Sequence, residues 1–204
     1  SGDHFKIQEK IQRLENFQNQ EIYLERKFRE CTTGQVTSEA EDLVLSNATT
    51  LLKGEAGAGK SSVAAKAVQQ WSVGKHLKDI TCCLFLTAGS EIKVPLNKTI
   101  WDDYSDSQKW TDTEAKEVFK QLQILADEGK LAIVFDGLDE LGTITRKDLY
   151  NASRAASHTS TEVDMKTTCA GILSKNILSG AKVLATGRNT EIVNTETLGQ
   201  MSSM

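Results

Sequence analysis

Residues Gly54-Glu55-Ala56-Gly57-Ala58-Gly59-Lys60-Ser61 follow the pattern G-x-x-x-x-G-K-[S/T]. They stand between a short apolar run, Asn47 to Lys53, and an alanine-rich helix former, Ser61 to Trp71. No other feature constrains the fold as strongly, because the pattern requires a strand before it and a helix after it. The glycines let backbone N–H groups close around phosphate oxygens with no Cβ in the way. A helix beginning at Lys60 adds its partial positive charge. Lys60 is then expected to reach the β- and γ-phosphates of a nucleotide, and Ser61 to ligate Mg²⁺. Glu55, Ala56, Ala58 and Ser62 complete the expected phosphate-binding set.

The remaining rhythm agrees with such a fold. Ile80 to Thr87, Leu131 to Phe135 and Lys182 to Thr186 are continuous apolar runs, as strands buried on both faces require. Between them, Thr111 to Asp127 reads as an amphipathic helix capped by Thr111 or Thr113, with Val118, Phe119, Leu122 and Leu125 on one face. A further helix is expected around Thr168 to Leu178. The Ser-, Thr-, Ala- and Asn-rich stretch from Thr143 to Lys166 reads as a loop or weak helix. Strands alternating with helices predict an α/β fold, a mainly parallel sheet covered on both faces. Phe5 to Arg29 has a narrow helical stripe (Ile7, Ile11, Leu14, Phe17), although Ile22, Leu24 and Phe28 fit an extended period equally well. The expected division is therefore a helical or extended arm over 1–30 and the nucleotide-binding domain over 31–204.

Two more segments carry chemistry. In Leu131-Ala-Ile-Val-Phe-Asp136-Gly-Leu-Asp139-Glu140, a buried strand delivers Asp136 to the carboxyl edge of the sheet, where ligands bind. Asp136 is expected to hold Mg²⁺ through water. Asp139 and Glu140 follow a glycine turn, and either of them is placed to polarise an attacking water. In Lys182-Val-Leu-Ala-Thr186-Gly-Arg188, a polar residue and an arginine end another strand and are candidates to read the γ-phosphate. Leu178-Ser179-Gly180 matches the start of a transporter-ATPase signature but comes after the acidic strand and lacks the following Gly-Gln. Asn97-Lys98 lacks the Asp of a guanine-reading motif.

Charge excludes other readings. With 24 Lys+Arg against 28 Asp+Glu the net charge is -4, so bulk electrostatics gives no case for nucleic acid. No apolar run approaches the ~18 residues that span a bilayer. The polar start SGDHFKIQEK has no signal-peptide core, and Cys31, Cys82, Cys83 and Cys169 lack zinc-site spacing. A cytoplasmic location with reduced thiols is the expectation.

In combination, GEAGAGKSS, Trp71 in AVQQWSVGK, CCLFLTAGSE, LAIVFDGLDELG and GILSKNILSGAKVLATGRN, in that order, resemble the nucleotide-binding core of the NACHT family, found in NOD-like innate immune receptors and related STAND ATPases. The Asp-Gly-Leu-Asp-Glu run is the most discriminating piece, and the resemblance covers roughly residues 20 to 190. It implies a P-loop NTPase three-layer sandwich in which another strand separates the Walker B strand from the P-loop strand. It implies that Gly54, Gly57, Gly59, Lys60 and Ser61 bind phosphate and Mg²⁺, that Asp136 supports the metal, that Asp139 and Glu140 are extended Walker B acids, and that Arg188 is the sensor 1 arginine. Ile22 to Phe28 is similar in placement to the stretch beside the adenine. The family holds ADP at rest and exchanges it for ATP to open and form homo-oligomers, which makes the nucleotide a switch. The sequence departs from the pattern at Asn189, where a proline is common. It ends at Met204 without the helical and winged-helix lid subdomains, so the chain is expected to be a piece of a longer protein. The expected function is an adenine-nucleotide switch with slow ATP hydrolysis at most. The alternatives are a ring-forming AAA+-like ATPase and a nucleotide-independent interaction module.

Overall fold

A computed structural model describes residues 28–29, 36–37, 49–75, 77–88, 94–95, 97, 111–158 and 162–188. Its strands are β1 (Phe28–Arg29), β2 (Val36–Thr37), β3 (Thr49–Lys53), β4 (Cys82–Thr87), β5 (Val94–Pro95), β6 (Leu131–Asp136), β7 (Glu162–Val163) and β8 (Lys182–Gly187). Its helices are α1 (Lys60–Ser72), α2 (Asp112–Asp127), α3 (Arg146–Ser157) and α4 (Met165–Leu173), with a 3₁₀ turn at Leu138–Leu141. The main sheet has the order β3-β8-β6-β4, with every pairing parallel. Strand β8 thus separates the strand before the glycine loop from the strand that ends in Asp136.

The continuous apolar strands are explained by what each face buries. Along β6, Leu131, Ile133 and Phe135 join one core with Phe119 and Leu122 of α2 and Met165, Cys169 and Ile172 of α4. The intervening Ala132 and Val134 face a second core with Leu52, Leu184 and Val63, Ala64 and Ala67 of α1. Alternate side chains therefore enter opposite layers, and helices cover both faces of the sheet. This is the three-layer α/β sandwich of a P-loop fold. Each fully buried Leu or Ile contributes about 1.5–3 kcal/mol, so the two cores are the main source of stability.

Local signals set the helix ends. Thr111 caps α2: its hydroxyl accepts from Glu114 N at 3.3 Å, while the Glu114 carboxylate accepts from Thr111 N at 2.8 Å. Those Thr111 hydrogen bonds hold the Glu114 carboxyl below the usual carboxylate range. Phe119 and Leu122 are buried as the periodicity predicts, while Val118 and Leu125 are half-buried and Ala115 and Ala126 complete the inner face. At the end of α1, Trp71 Nε1 donates to Ile80 O at 2.9 Å and ties the helix to the approach to β4.

Two expectations are refined. Of the loop or weak helix expected over 143–166, the structure has the helix, α3, over Arg146–Ser157. The Asp148 carboxylate accepts from Thr145 N (2.8 Å) and Thr145 Oγ1 (2.7 Å) to start α3, and Ala152 and Ala155 pack it into the core. Small side chains let helices approach closely, so a composition that looks weak makes a tight α3–α4 contact. The helix expected to continue to Leu178 ends at Leu173. Asn176 N and Ile177 N both return to Gly171 O (2.9 and 3.1 Å), with Lys175 in a left-handed conformation at φ 62°. The predicted arm over 1–30 lies outside the described residues except for Phe28 and Arg29, which are extended and pair antiparallel with Thr37 and Val36.

Candidate nucleotide-binding site

The carboxyl ends of the parallel strands meet at one sheet edge. Lys53 of β3 is in register with Gly187 of β8, and Asp136 of β6 with Thr87 of β4. Gly54 N continues the first pairing by donating to Gly187 O at 3.3 Å. From there the chain turns tightly, with Ala58 N donating to Glu55 O at 3.1 Å, and enters α1 at Lys60. Gly59 caps α1 with φ 78° and ψ 27°, a left-handed conformation that strains any residue with a Cβ. No side chain caps the helix, and its first turn holds no acidic residue. The first-turn N–H groups and the positive end of the dipole are thus left for an anion.

Lys60 is folded back over this loop. Its Nζ donates to Gly54 O at 2.8 Å and to Glu55 O at 2.9 Å. Ser61 is exposed and Ser62 half-buried, both in the first turn of α1. Around the loop, Glu55, Ala56, Gly57 and Ala58 are exposed.

The acidic residues stand beside the loop through β8. Thr186 is 1% exposed, and its Oγ1 donates to Asp136 Oδ1 at 2.6 Å while accepting from Gly137 N at 3.0 Å. Thr186, a candidate to read the γ-phosphate, thus has its hydroxyl engaged with the strand beside it. After Gly137 the chain forms the 3₁₀ turn, anchored by Leu138 at 1% exposure. Asp139 Oδ2 pairs with Arg188 Nε at 2.9 Å, and Asp139 Oδ1 accepts from Arg188 N at 3.2 Å. The Asp139 side chain is 16% exposed and that of Arg188 62%, so the turn is latched to the end of β8 with the guanidinium toward solvent. Glu140 is exposed.

The donor chemistry suits a Mg²⁺–nucleotide. A serine hydroxyl and a carboxylate are hard oxygen ligands of the kind Mg²⁺ takes alongside phosphate oxygens. Free N–H groups at the start of α1 suit the phosphates. None of these residues lines the cleft of about 260 Å³ among α3, β7 and α4. That cleft mixes Arg154 and His158 with Glu162 and Asp164, so its charges select no one sign of ligand.

A NACHT domain family model matches residues 48–202. The chain belongs to the NACHT family. Its relatives include the "NACHT, LRR and PYD domains-containing protein 6" of Mus musculus, 27% identical over 145 residues, which is 69% of this chain and 15% of the relative. The Rattus norvegicus protein of the same name is 26% identical over 145 residues, covering 71% of this chain and 15% of the relative. The chain thus spans about 15% of the length of these curated relatives. NACHT domains are nucleotide-binding P-loop modules, so this one is a nucleotide-binding module. The match begins at residue 48, so the stretch Ile22 to Phe28 lies outside both the match and, except for Phe28, the described residues. Among the described residues no helix is long and apolar enough to cross a membrane.

Proposed function

We propose that this NACHT domain binds ADP or ATP with Mg²⁺ and acts as the switch element of a cytoplasmic NOD-like receptor, with slow hydrolysis of ATP. The observation that supports this best is the meeting, at one sheet edge, of an uncapped helix N-terminus and a carboxylate held by the strand between them. In this reading the N–H groups of Gly57 and of Gly59 to Ser62 cradle the phosphates, and the Lys60 ammonium, already over the loop, meets their terminal oxygens. Ser61 and Asp136 hold Mg²⁺, which supplies charge neutralisation of the phosphates.

The reading separates the two later acids. Both Asp139 oxygens are engaged by Arg188, so in this reading Asp139 holds Arg188 in place for the phosphates and is not the base. Glu140 is the exposed carboxylate able to take a proton from water. Exchange of ADP for ATP drives opening and homo-oligomer formation once the lid subdomains of the parent protein are present. That step needs the two nucleotides to bind the closed and open forms with different affinity.

The test is a titration of nucleotide-stripped protein with ADP, ATP and GTP, each with and without Mg²⁺. Saturable adenine-nucleotide binding, strengthened by Mg²⁺ and weaker for GTP, is the expected result. A folded chain that binds none of them overturns the reading. In the same assay Glu140→Gln keeps ATP affinity within about 3-fold and slows turnover on the order of 100-fold. Asp139→Asn is expected to weaken ATP more than ADP. Identical profiles for the two variants would sink the division of roles.

A further inference from the structure

Thr186 has a second relation to the site besides its place at the strand end: it is buried with its hydroxyl doubly engaged. It lies in the central strand, paired through the backbone with Leu52 of β3 on one side. On the other side its hydroxyl reaches Asp136. A threonine hydroxyl has one proton to give. Gly137 N–H occupies a lone pair at 3.0 Å, which turns the proton toward Asp136 Oδ1 at 2.6 Å. The short O–H···O distance is that of a charge-assisted bond to a carboxylate. At 1% exposure Thr186 has no water to replace either bond. No other hydrogen bond to the Asp136 carboxylate is made among the described residues, so Thr186 alone sets its rotation and leaves Oδ2 as the oxygen not yet engaged.

We infer that Thr186 is the positioning residue for the cation at this site: it fixes the Asp136 carboxylate so that Oδ2 serves Mg²⁺ or its water. This rests on the nucleotide reading above, with Thr186 acting only through Asp136. Residues that orient a metal ligand typically account for about 10–100-fold in metal affinity. The effect must therefore fall on the Mg²⁺-dependent part of nucleotide binding and spare the part made by the loop.

The experiment measures ADP affinity of the full chain in EDTA and across a Mg²⁺ titration, for the parent, Thr186→Val, Thr186→Ala and Thr186→Ser. Valine keeps the shape and removes the hydroxyl, alanine removes the hydroxyl without its bulk, and serine keeps the hydroxyl alone. The expected result is ADP affinity in EDTA within about 2-fold of the parent for all three, which also shows that each is folded. The Mg²⁺ concentration for half-effect should rise on the order of 10-fold or more for Thr186→Val and Thr186→Ala. It should return to within about 3-fold of the parent for Thr186→Ser. An unchanged Mg²⁺ midpoint in Thr186→Val or Thr186→Ala overturns the inference and leaves the nucleotide reading standing. A serine variant as impaired as valine also overturns it, since the methyl packing would then be what matters. A parent that binds no ADP overturns the nucleotide reading itself, and the inference with it.

Discussion

Lys60→Ala is expected to remove nucleotide binding while leaving the domain folded. In the structure the ammonium caps the loop through Gly54 O and Glu55 O. These carbonyls belong to a loop whose tip is exposed, so water replaces the lysine at small cost when it is deleted. Alanine is also a good residue for the first position of α1. The phosphates lose more. Hydrogen bonds to charged groups are worth about 1.5–3 kcal/mol each, so losing two corresponds to 100-fold or more, on the order of 10²–10⁴ in affinity. Calorimetric titration with ADP and with ATP reads the loss, and a melting curve reads the fold. A melting temperature within about 4 °C of the parent is expected, at about 2–4 °C per kcal/mol for a chain of this size. Retained ADP affinity in the folded variant would mean that the glycine loop is not the phosphate site.

Gly180→Ala is expected to produce the largest loss of stability from a single methyl. A Cβ at Gly180 would run into the carbonyl oxygen of Ala126, with the carbonyl carbon and Asp127 Cα directly behind it. These are backbone atoms at the end of α2. The same carbonyl accepts Gly129 N at 2.8 Å in the turn that leads into β6. A flexible side chain would swing away, but this carbonyl cannot move without disturbing that turn. Overpacking of this kind costs about 1–3 kcal/mol, occasionally more. At about 2–4 °C per kcal/mol, the upper figure predicts a melting temperature lower by roughly 6–12 °C. Ser179→Ala, at the exposed neighbouring position, should stay within about 0.5 kcal/mol of the parent. Equal melting of Gly180→Ala and the parent would show that α2 and the approach to β8 are not in the close contact described. Leu178-Ser179-Gly180 thus owes its glycine to packing, which the resemblance to a transporter signature hides.

The features legible in the sequence share a physical cause: each is dictated by neighbours along the chain. A strand buried on both faces must be largely apolar, so β6 and β8 stand out as LAIVFD and KVLATG, and the partly buried β4 as CCLFLT. The glycine loop is legible because its conformation and its helix start depend on the residues at those positions alone. By contrast, α3 is legible only as one of two alternatives, a loop or a weak helix, because composition is averaged over a stretch of small polar residues. Its Thr145-x-x-Asp148 cap was readable, but its stability comes from Ala152 and Ala155 meeting α4, which no local pattern reports. The end of α4 at Leu173 depends on Ile177 folding back over Gly171, where its side chain lies where a Cβ would be.

The chain's order of residues was sufficient for the strand–loop–helix of the phosphate site, the α/β alternation and the delivery of Asp136 to a sheet edge. The strand order came into view through the family resemblance and not from periodicity, which is blind to which strand lies beside which. Only the tertiary structure decided what Asp139 and Thr186 touch and that Glu140 stands exposed. Asp139 meets Arg188 across 49 positions and Thr186 meets Asp136 across 50. Spacing along a chain says nothing about a bond of that separation until β8 is placed between β3 and β6 and the hydroxyl, the carboxylates and the guanidinium arrive at the same edge.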